Sequence, residues 1–142
     1  MGNAIVRFVL GVLGGLIAGW LTTFLIEQAN TALWPPPAGL DPHNVQDIAT
    51  IMASMPSMAL IALVFAWLAG AFVGGFVAAK IATRWPLAAA VFPGLLILAG
   101  VVGMILMIPH PKWVSAAGLL LSVPVALLGG YLARRKSPPP LS

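Results

Sequence analysis

Four long runs of apolar residues dominate the chain, at residues 5–26, 57–79, 87–108 and 114–133. Each run has the length of about 20 residues that a helix needs to cross the hydrocarbon core of a membrane. Apart from Arg7, in the first turn of the first run, no acidic or basic residue lies within them. The pattern therefore predicts four membrane-spanning helices. We expect the first run to be retained, because the apolar region of a signal peptide is only about 7–15 residues long.

One long connection, residues 27–55, separates the first two runs. It contains Trp34-Pro35-Pro36-Pro37, which predicts a rigid turn with a short polyproline segment. Asp41 and Pro42 then fit the N-cap and the first position of a helix. Apolar residues with helical spacing follow at Val45, Ile48, Ala49 and Met52. The spacing predicts a short amphipathic helix that lies on the outer leaflet or caps the bundle.

The composition excludes a water-soluble domain. Of the 142 residues, 61% are hydrophobic and 7% are charged, whereas soluble domains are about 45–50% apolar and about 25% charged. A net charge of +4 in a soluble protein would suggest a nucleic-acid partner. In a membrane protein the positions of the cations instead indicate how the chain is oriented in the bilayer. We therefore expect the lipid bilayer as a partner and expect no nucleic acid.

All but one of the cations lie on one side of the four predicted spans. The exception is Lys112, and the others are Arg7, Lys80, Arg84, Arg134, Arg135 and Lys136. Lys and Arg in short loops favour the cytoplasmic side, so both termini are predicted to be cytoplasmic. Aromatic residues fit the two membrane interfaces, with Trp34 and Trp113 outside and Trp85 and Tyr131 inside.

Small residues recur every four positions in three of the spans. They are Gly11, Gly15 and Gly19 in the first, Ala66, Gly70 and Gly74 in the second, and Gly118, Ser122, Ala126 and Gly130 in the fourth. Such spacing lets helix backbones approach closely in lipid, where hydrophobicity gives helices little reason to associate. Two interpretations remain open. The ladders pack the helices of a single bundle, or they form an oligomer interface or a groove for a partner.

Two prolines lie inside spans, Pro93 in the third and Pro124 in the fourth. Each removes a backbone hydrogen bond and is expected to bend its helix. Static bends that packing accommodates and bends with a role in gating are both consistent with the pattern.

Polar residues that bear candidate chemistry are predicted to collect on the outer face. They are Glu27, Asp41, His43, Asp47 and His110. Carboxylates and imidazoles ligate zinc, but Asp41 and His43 are too close in sequence to share one helix face. Asp41 also has a competing role as a helix cap. We therefore expect these residues to be solvated and predict no metal, no cofactor and no catalytic site.

Transport requires polar groups at depth, and the spans contain few. The inward-facing candidates are Thr22, Thr23, Ser57 and Ser122, while Glu27 is expected at the outer end of the first helix, within reach of water. Carriers that move protons keep an ionisable group inside the membrane. A single copy of the chain therefore has too few polar groups in its spans to line an aqueous path.

Four sequence segments, in order along most of the chain, carry a resemblance to a known group of proteins. They include residues 53–56, parts of residues 66–82, the segment Leu33-Trp34-Pro35-Pro36-Pro37-Ala38-Gly39-Leu40-Asp41-Pro42 and the turn Ile108-Pro109-His110-Pro111-Lys112-Trp113. Together they resemble a group of uncharacterised small bacterial four-span inner-membrane proteins. The resemblance implies a bacterial inner-membrane protein with both termini inside, and it implies no catalytic residue.

The sequence as a whole predicts an all-α, polytopic four-helix bundle with a short amphipathic helix in its outer connection. Residues 1–136 are expected to form one transmembrane domain and residues 137–142 a disordered tail. The predicted role is that of a structural or accessory helix-packing protein, not an enzyme, in a homo-oligomer or a larger membrane complex. The alternative is a small channel or transporter that acts as a parallel homo-oligomer.

Overall fold

The apolar runs form four long helices, and a short fifth helix lies between the first two. The computed structural model describes residues 2–134. In this part of the chain the helices are α1 (Gly2–Leu33), α2 (Val45–Ser54), α3 (Ser57–Ile81), α4 (Pro86–Met107) and α5 (Lys112–Ala133). The prediction of an all-α four-helix bundle is confirmed. The predicted tail at 137–142 lies outside the described residues, as do Arg135 and Lys136.

The predicted ends of three spans agree with the structure to within two residues, but the first span was predicted too short. α1 continues beyond residue 26 to Leu33. It ends immediately before the Trp34–Pro35 step, because the residue that precedes a proline avoids the α conformation. Glu27 and Asn30 therefore belong to a long helix and not to the outer connection.

The short helix α2 starts later than the sequence indicated. Its N-cap is Asn44, whose side chain accepts a hydrogen bond from the backbone N–H of Gln46 at 3.0 Å. The predicted cap at Asp41, with Pro42 as the first helical residue, is therefore wrong. The inward face of α2 is also rotated from the prediction. Ile48, Ile51 and Met52 are half-buried, whereas Val45 and Ala49 are exposed.

The third helix in the chain, α3, is the centre of the bundle. It packs against α1, α4 and α5, and α4 also contacts α1 and α5. Half of the residues in its most apolar stretch of 18 are buried inside the bundle. This share is larger than in the corresponding stretch of any other long helix. Since consecutive long helices alternate in direction, α1 and α4 run one way while α3 and α5 run the other.

Backbone-to-backbone contact joins α1 to α3. A Cβ atom added to Gly11, Gly15 or Gly19 would lie 2.7, 2.6 or 2.8 Å from a carbonyl oxygen of α3. The carbonyls belong to Ala78, Gly74 and Gly70, so each step of four residues along α1 matches a step of four along α3. Any side chain at these glycines would force the helices apart.

The ladder on α5 is also used inside the bundle. Gly118 leaves room for the ring of Trp67, and a Cβ atom on Gly130 would lie 2.5 Å from the Cβ atom of Ala90. The backbone of Ala126 fills the space where Gly75 of α3 has no side chain. All ten ladder residues named from the sequence are buried by contacts within this one chain.

Polar groups in the spans bond to nearby carbonyl oxygens. Thr22 and Ser122 donate to carbonyls one turn earlier in their own helices, whereas Thr23 donates across to Ala66 of α3 at 3.2 Å. α4 continues through Pro93, whose ring contacts Gly15 and Gly74, and α5 continues through Pro124.

The outer surface of the bundle suits lipid. Large apolar side chains of all four long helices are exposed, among them Leu13, Phe65, Leu96 and Leu120. Each long helix has the length and apolar character of a membrane span. The chain is thus a multi-pass integral membrane protein, with apolar surface in contact with the bilayer.

Gly75→Ala tests the α3–α5 contact. The new methyl group meets the backbone of Ala126, which cannot turn away as a flexible side chain would. We expect the free energy of unfolding to fall by about 1–3 kcal/mol, the usual cost of overpacking. Gly100→Ala on α4 is the matched control, because its added methyl group meets no atom within 4 Å. Equal stability of the two variants in detergent unfolding would contradict this packing.

Candidate functional site

A hydrogen bond between Glu27 and Trp67 joins α1 to α3 in the half of the bundle where α1 ends and α3 begins. We call it the outer half, because the bias of cations predicts that end to lie outside. The indole Nε1–H of Trp67 donates to Oε1 of Glu27 at 3.2 Å. Glu27 is half-buried and lies within α1, not at its end as the sequence suggested. No pattern in the sequence indicates this contact, because it depends on how two apolar helices are rotated and offset against each other.

Trp67 fills the centre of the outer half. Only 4% of its surface is exposed. The edge of its six-membered ring would lie 3.0 Å from a Cβ atom on Gly118, which explains why α5 carries a glycine there. Its ring centre is also 6.1 Å from that of His110, at the tilted angle of 58°. One indole therefore contacts a carboxylate of α1, the backbone of α5 and the imidazole of the α4–α5 turn.

The imidazole of His110 is held by its own turn. Its Nδ1 atom lies 2.9 Å from the carbonyl oxygen of Ile108. A carbonyl only accepts hydrogen bonds, so Nδ1 carries the hydrogen and the neutral ring has its lone pair on Nε2. That Nε2 atom is buried and has no hydrogen-bond partner among residues 2–134. Pro109 and Pro111 flank the histidine and restrict the backbone on both sides.

Asn30 is a further buried polar residue at this end, and it was not among the residues predicted from the sequence. Its surface is 5% exposed, and its Nδ2 group donates to the carbonyl of Ala59 on α3 at 3.1 Å. Its Oδ1 atom is buried without a partner among the described residues. Because Asn30 follows Glu27 by three positions on one helix, the two side chains are neighbours. A correct α1 boundary is the signal that would have identified it.

We call Glu27, Asn30, Trp67 and His110 the outer polar cluster. They come from α1, α3 and the α4–α5 turn. Glu27 and His110 both lie beside the indole ring of Trp67, and Asn30 lies about one turn beyond Glu27 on α1. The cluster is rich in hydrogen-bond acceptors, namely a carboxylate, an amide oxygen and an imidazole lone pair. Among its donors, the indole N–H bonds to Glu27, and Nδ2 of Asn30 and Nδ1 of His110 each bond to a backbone carbonyl.

The remaining predicted polar residues form a separate group at the start of α2, with Asp41 and His43 in the connection before the helix and Asp47 in its first turn. Asp41 accepts hydrogen bonds from the backbone N–H of His43 at 2.8 Å and from its ring at 3.1 Å. Asp47 accepts one from the backbone N–H of Asp41 at 3.1 Å. The backbone N–H of His43, with its side chain, holds the pKa of Asp41 below its ordinary value. These bonds join the exposed residues Asp41 and His43 to each other and to the first turn of α2.

The five predicted outer-face residues therefore fall into two groups, with Glu27 and His110 in the outer polar cluster and the other three around the start of α2. Among residues 2–134, no three histidine, aspartate or glutamate side chains come close enough together to hold one metal ion. The arrangement of the described residues thus has no ready-made zinc site of the kind that the residue types alone allowed.

An apolar cleft of about 340 Å³ lies between the end of α1, the proline turn and the C-terminal end of α2, and no residue of the outer polar cluster lines it. Its walls include Trp34, the three prolines that follow it, Ile51 and Met55, with hydroxyl groups from Thr31 and Ser54. The rigid polyproline segment keeps one wall of the cleft away from α2.

Comparison of the chain with protein-family models, with curated proteins and with solved structures finds no match.

A double-mutant cycle of Glu27→Leu and Trp67→Phe tests the hydrogen bond at the centre of the cluster, because leucine is of similar size and has no acceptor oxygen. Hydrogen bonds to charged groups contribute about 1.5–3 kcal/mol, so we expect the two changes to be coupled by at least about 1 kcal/mol in the free energy of unfolding. Gln28→Ala, on the exposed side of the same turn, is the control in place of Glu27→Leu. Purely additive effects of Glu27→Leu and Trp67→Phe would contradict the contact.

Proposed function

We propose that the protein is an accessory helix-packing protein that associates with other membrane helices, either its own copies or those of a partner complex. The ladders on α1, α3 and α5 are occupied by contacts within the chain. Association therefore requires a different surface, and α4 provides one.

One open strip of small residues on α4 carries this proposal. Ala99 and Gly100 are exposed and Gly103 is half-exposed. Cβ atoms added to the two glycines would meet no atom within 4 Å. Ala99 and Gly103 have the four-residue spacing at which helices approach closely in lipid. Large side chains, Leu96 and Leu106, border the strip and suit interdigitation with a second helix.

Gly100→Leu and Gly103→Leu test the role of this strip. Both substitutions enter open space, so the folded bundle itself is expected to remain as stable as the wild type. Close approach by another helix is blocked, and we expect self-association in vesicles to weaken by about tenfold or more, which is about 1.4 kcal/mol. Fluorescence energy transfer between labelled copies, at a series of protein-to-lipid ratios, measures this.

The matched control for these variants is Ala116→Leu, an exposed small residue on α5. It is expected to associate as the wild type does. A wild-type protein that is monomeric at every ratio and purifies without a partner would contradict the proposal. Ion flux across the same vesicles would instead favour the alternative of a small channel or transporter acting as a parallel homo-oligomer.

We further propose that the protein lies in a bacterial inner membrane with both termini in the cytoplasm. Arg7, Lys80, Arg84 and Arg134 gather at the end of the bundle where α1 begins and α3 and α5 end. Two of them stack on aromatic rings of that interface. Arg84 lies 4.5 Å from the ring centre of Trp85, and Arg134 lies 3.9 Å from that of Tyr131.

Reporter fusions test this orientation. A C-terminal fusion to a reporter that is active only in the cytoplasm is expected to be active, and the same reporter inserted after Gly39, in the exposed outer connection, is expected to be silent. The expectation follows from the bias of cations toward one end. The reverse pattern, or equal activity of both fusions, would contradict the orientation.

A further inference from the structure

Four cations gather at the end of the bundle where α1 begins and α3 and α5 end, namely Arg7, Lys80, Arg84 and Arg134. We call it the cationic end. The three acidic side chains of the chain all lie toward the opposite end, Glu27 in the last two turns of α1 and Asp41 and Asp47 around the start of α2. The one ion pair among residues 2–134 also lies there, before α2. Cations without counter-charges produce a positive field that attracts anions.

A small cavity lies within the cationic end, between the last turn of α3 and the start of α4. Its volume is about 100 Å³, and it is lined by Ala79, Lys80, Ala82, Thr83 and Pro86. The cavity has room for several water-sized groups, and therefore for a phosphate group, but not for an acyl chain. Its polar side chains are the ammonium group of Lys80 and the hydroxyl group of Thr83. Both are donors that suit phosphate oxygens.

A tight turn brings the two sides of this cavity together. Trp85 has φ 56° and ψ 49°, a left-handed conformation that is uncommon for a bulky residue. It is the N-cap of α4, so the chain changes direction between Thr83 and Pro86, and both residues line the same cavity. The first turn of α4, whose backbone N–H groups have no partner within the helix, therefore begins at the cavity wall.

Two arginines lie next to the cavity walls. The Nε atom of Arg7 donates to the carbonyl oxygen of Ile81 at 3.2 Å, and Ile81 stands between two wall residues in the chain. Arg84 directly follows Thr83, and its guanidinium lies 4.5 Å from the ring centre of Trp85. Both arginines add to the positive potential at the cavity.

We propose that this cavity binds the phosphate of an anionic phospholipid headgroup. Lys80 pairs with the phosphate, and Thr83 donates a hydrogen bond to it. A lipid is favoured over a soluble phosphate because the apolar spans end here, and the exposed rings of Trp85 and Tyr131 suit the depth of the headgroups. Basic pockets at the ends of membrane helices recognise anionic headgroups in this way. A zwitterionic headgroup is disfavoured, because its own cation meets no acidic side chain at the cationic end.

Lipid binding to the purified, delipidated full-length protein tests the proposal. The probes are phosphatidylglycerol and phosphatidylcholine with identical acyl chains, titrated in an uncharged detergent while the thermal unfolding midpoint and the bound mass are measured. We expect phosphatidylglycerol to bind at least about tenfold more tightly, and we expect added salt to reduce the difference. Equal affinity for the two lipids would overturn the proposal. This comparison needs no variant, so it remains decisive even if a substitution prevents folding.

Two variants of equal net charge locate the site. Lys80→Gln removes the cation of the cavity, and Lys112→Gln removes the cation at the opposite end of the bundle. We expect Lys80→Gln to reduce the preference for phosphatidylglycerol by about fivefold, the effect of one cation near an anionic headgroup. Lys112→Gln is expected to keep the preference of the wild type. An unchanged preference in Lys80→Gln, or an equal loss in both variants, would contradict the location.

Thr83→Val distinguishes a formed site from diffuse attraction to the surface. It removes the hydroxyl group while the charge and the shape of the side chain stay the same. We expect the preference for phosphatidylglycerol to fall at least about twofold, because a hydrogen bond to the phosphate is lost. A preference that Thr83→Val leaves unchanged would overturn the cavity as the site.

Inorganic phosphate separates the two sources of the bound group. Competition between inorganic phosphate and phosphatidylglycerol supports a phosphate site that the lipid occupies. Stabilisation by inorganic phosphate with no effect of phosphatidylglycerol would overturn the lipid source.

Discussion

The close approach of α1 and α3 is the constraint on which the rest of the structure depends. In the inner half, Gly11, Gly15 and Gly19 place the backbone of α1 against carbonyls of α3. In lipid, dispersion contact of this kind replaces the hydrophobic effect as the reason for helices to associate. The ring of Pro93 packs into the same contact from α4, touching Gly15 and Gly74. One glycine ladder thus sets the position of three helices.

The same register determines where polar groups meet. Beyond Gly19, the face of α1 that meets α3 carries Thr23, which bonds to Ala66, and Asn30, which bonds to Ala59. Between them Glu27 reaches Trp67, and that indole occupies the space between α1 and α5. Toward one end of the bundle, small residues therefore fill the contact between the helices. Toward the other end, a large aromatic residue with polar neighbours fills it. The outer polar cluster is a consequence of this change in packing.

The sequence predicted the spans well because lipid imposes a simple rule on length and charge. It predicted side-chain contacts poorly for the same reason. Helices that are apolar on every side give no periodic signal for which face is buried, so the Glu27–Trp67 bond and the burial of Asn30 were not foreseen. The wrong position of the α2 cap has a local cause, because two residues compete for that role. Asp41 and Asn44 both fit a helix cap, and Asp41 instead bonds to the backbone of His43, which leaves Asn44 as the cap of α2.

Solid-state NMR of the protein in bilayers, with 13C-labelled glycine, tests the central contact most directly. A Cβ atom on Gly19 would lie 3.4 Å from the Cα atom of Gly74 and 2.8 Å from the carbonyl oxygen of Gly70. The contact between α1 and α3 predicts strong cross-peaks from Gly19 to Gly70 and Gly74, and from Gly15 to Gly74. Cross-peaks that pair these glycines of α1 with residues one helical turn away on α3 would contradict the contact. The absence of any cross-peak between glycines of α1 and α3 would contradict it as well.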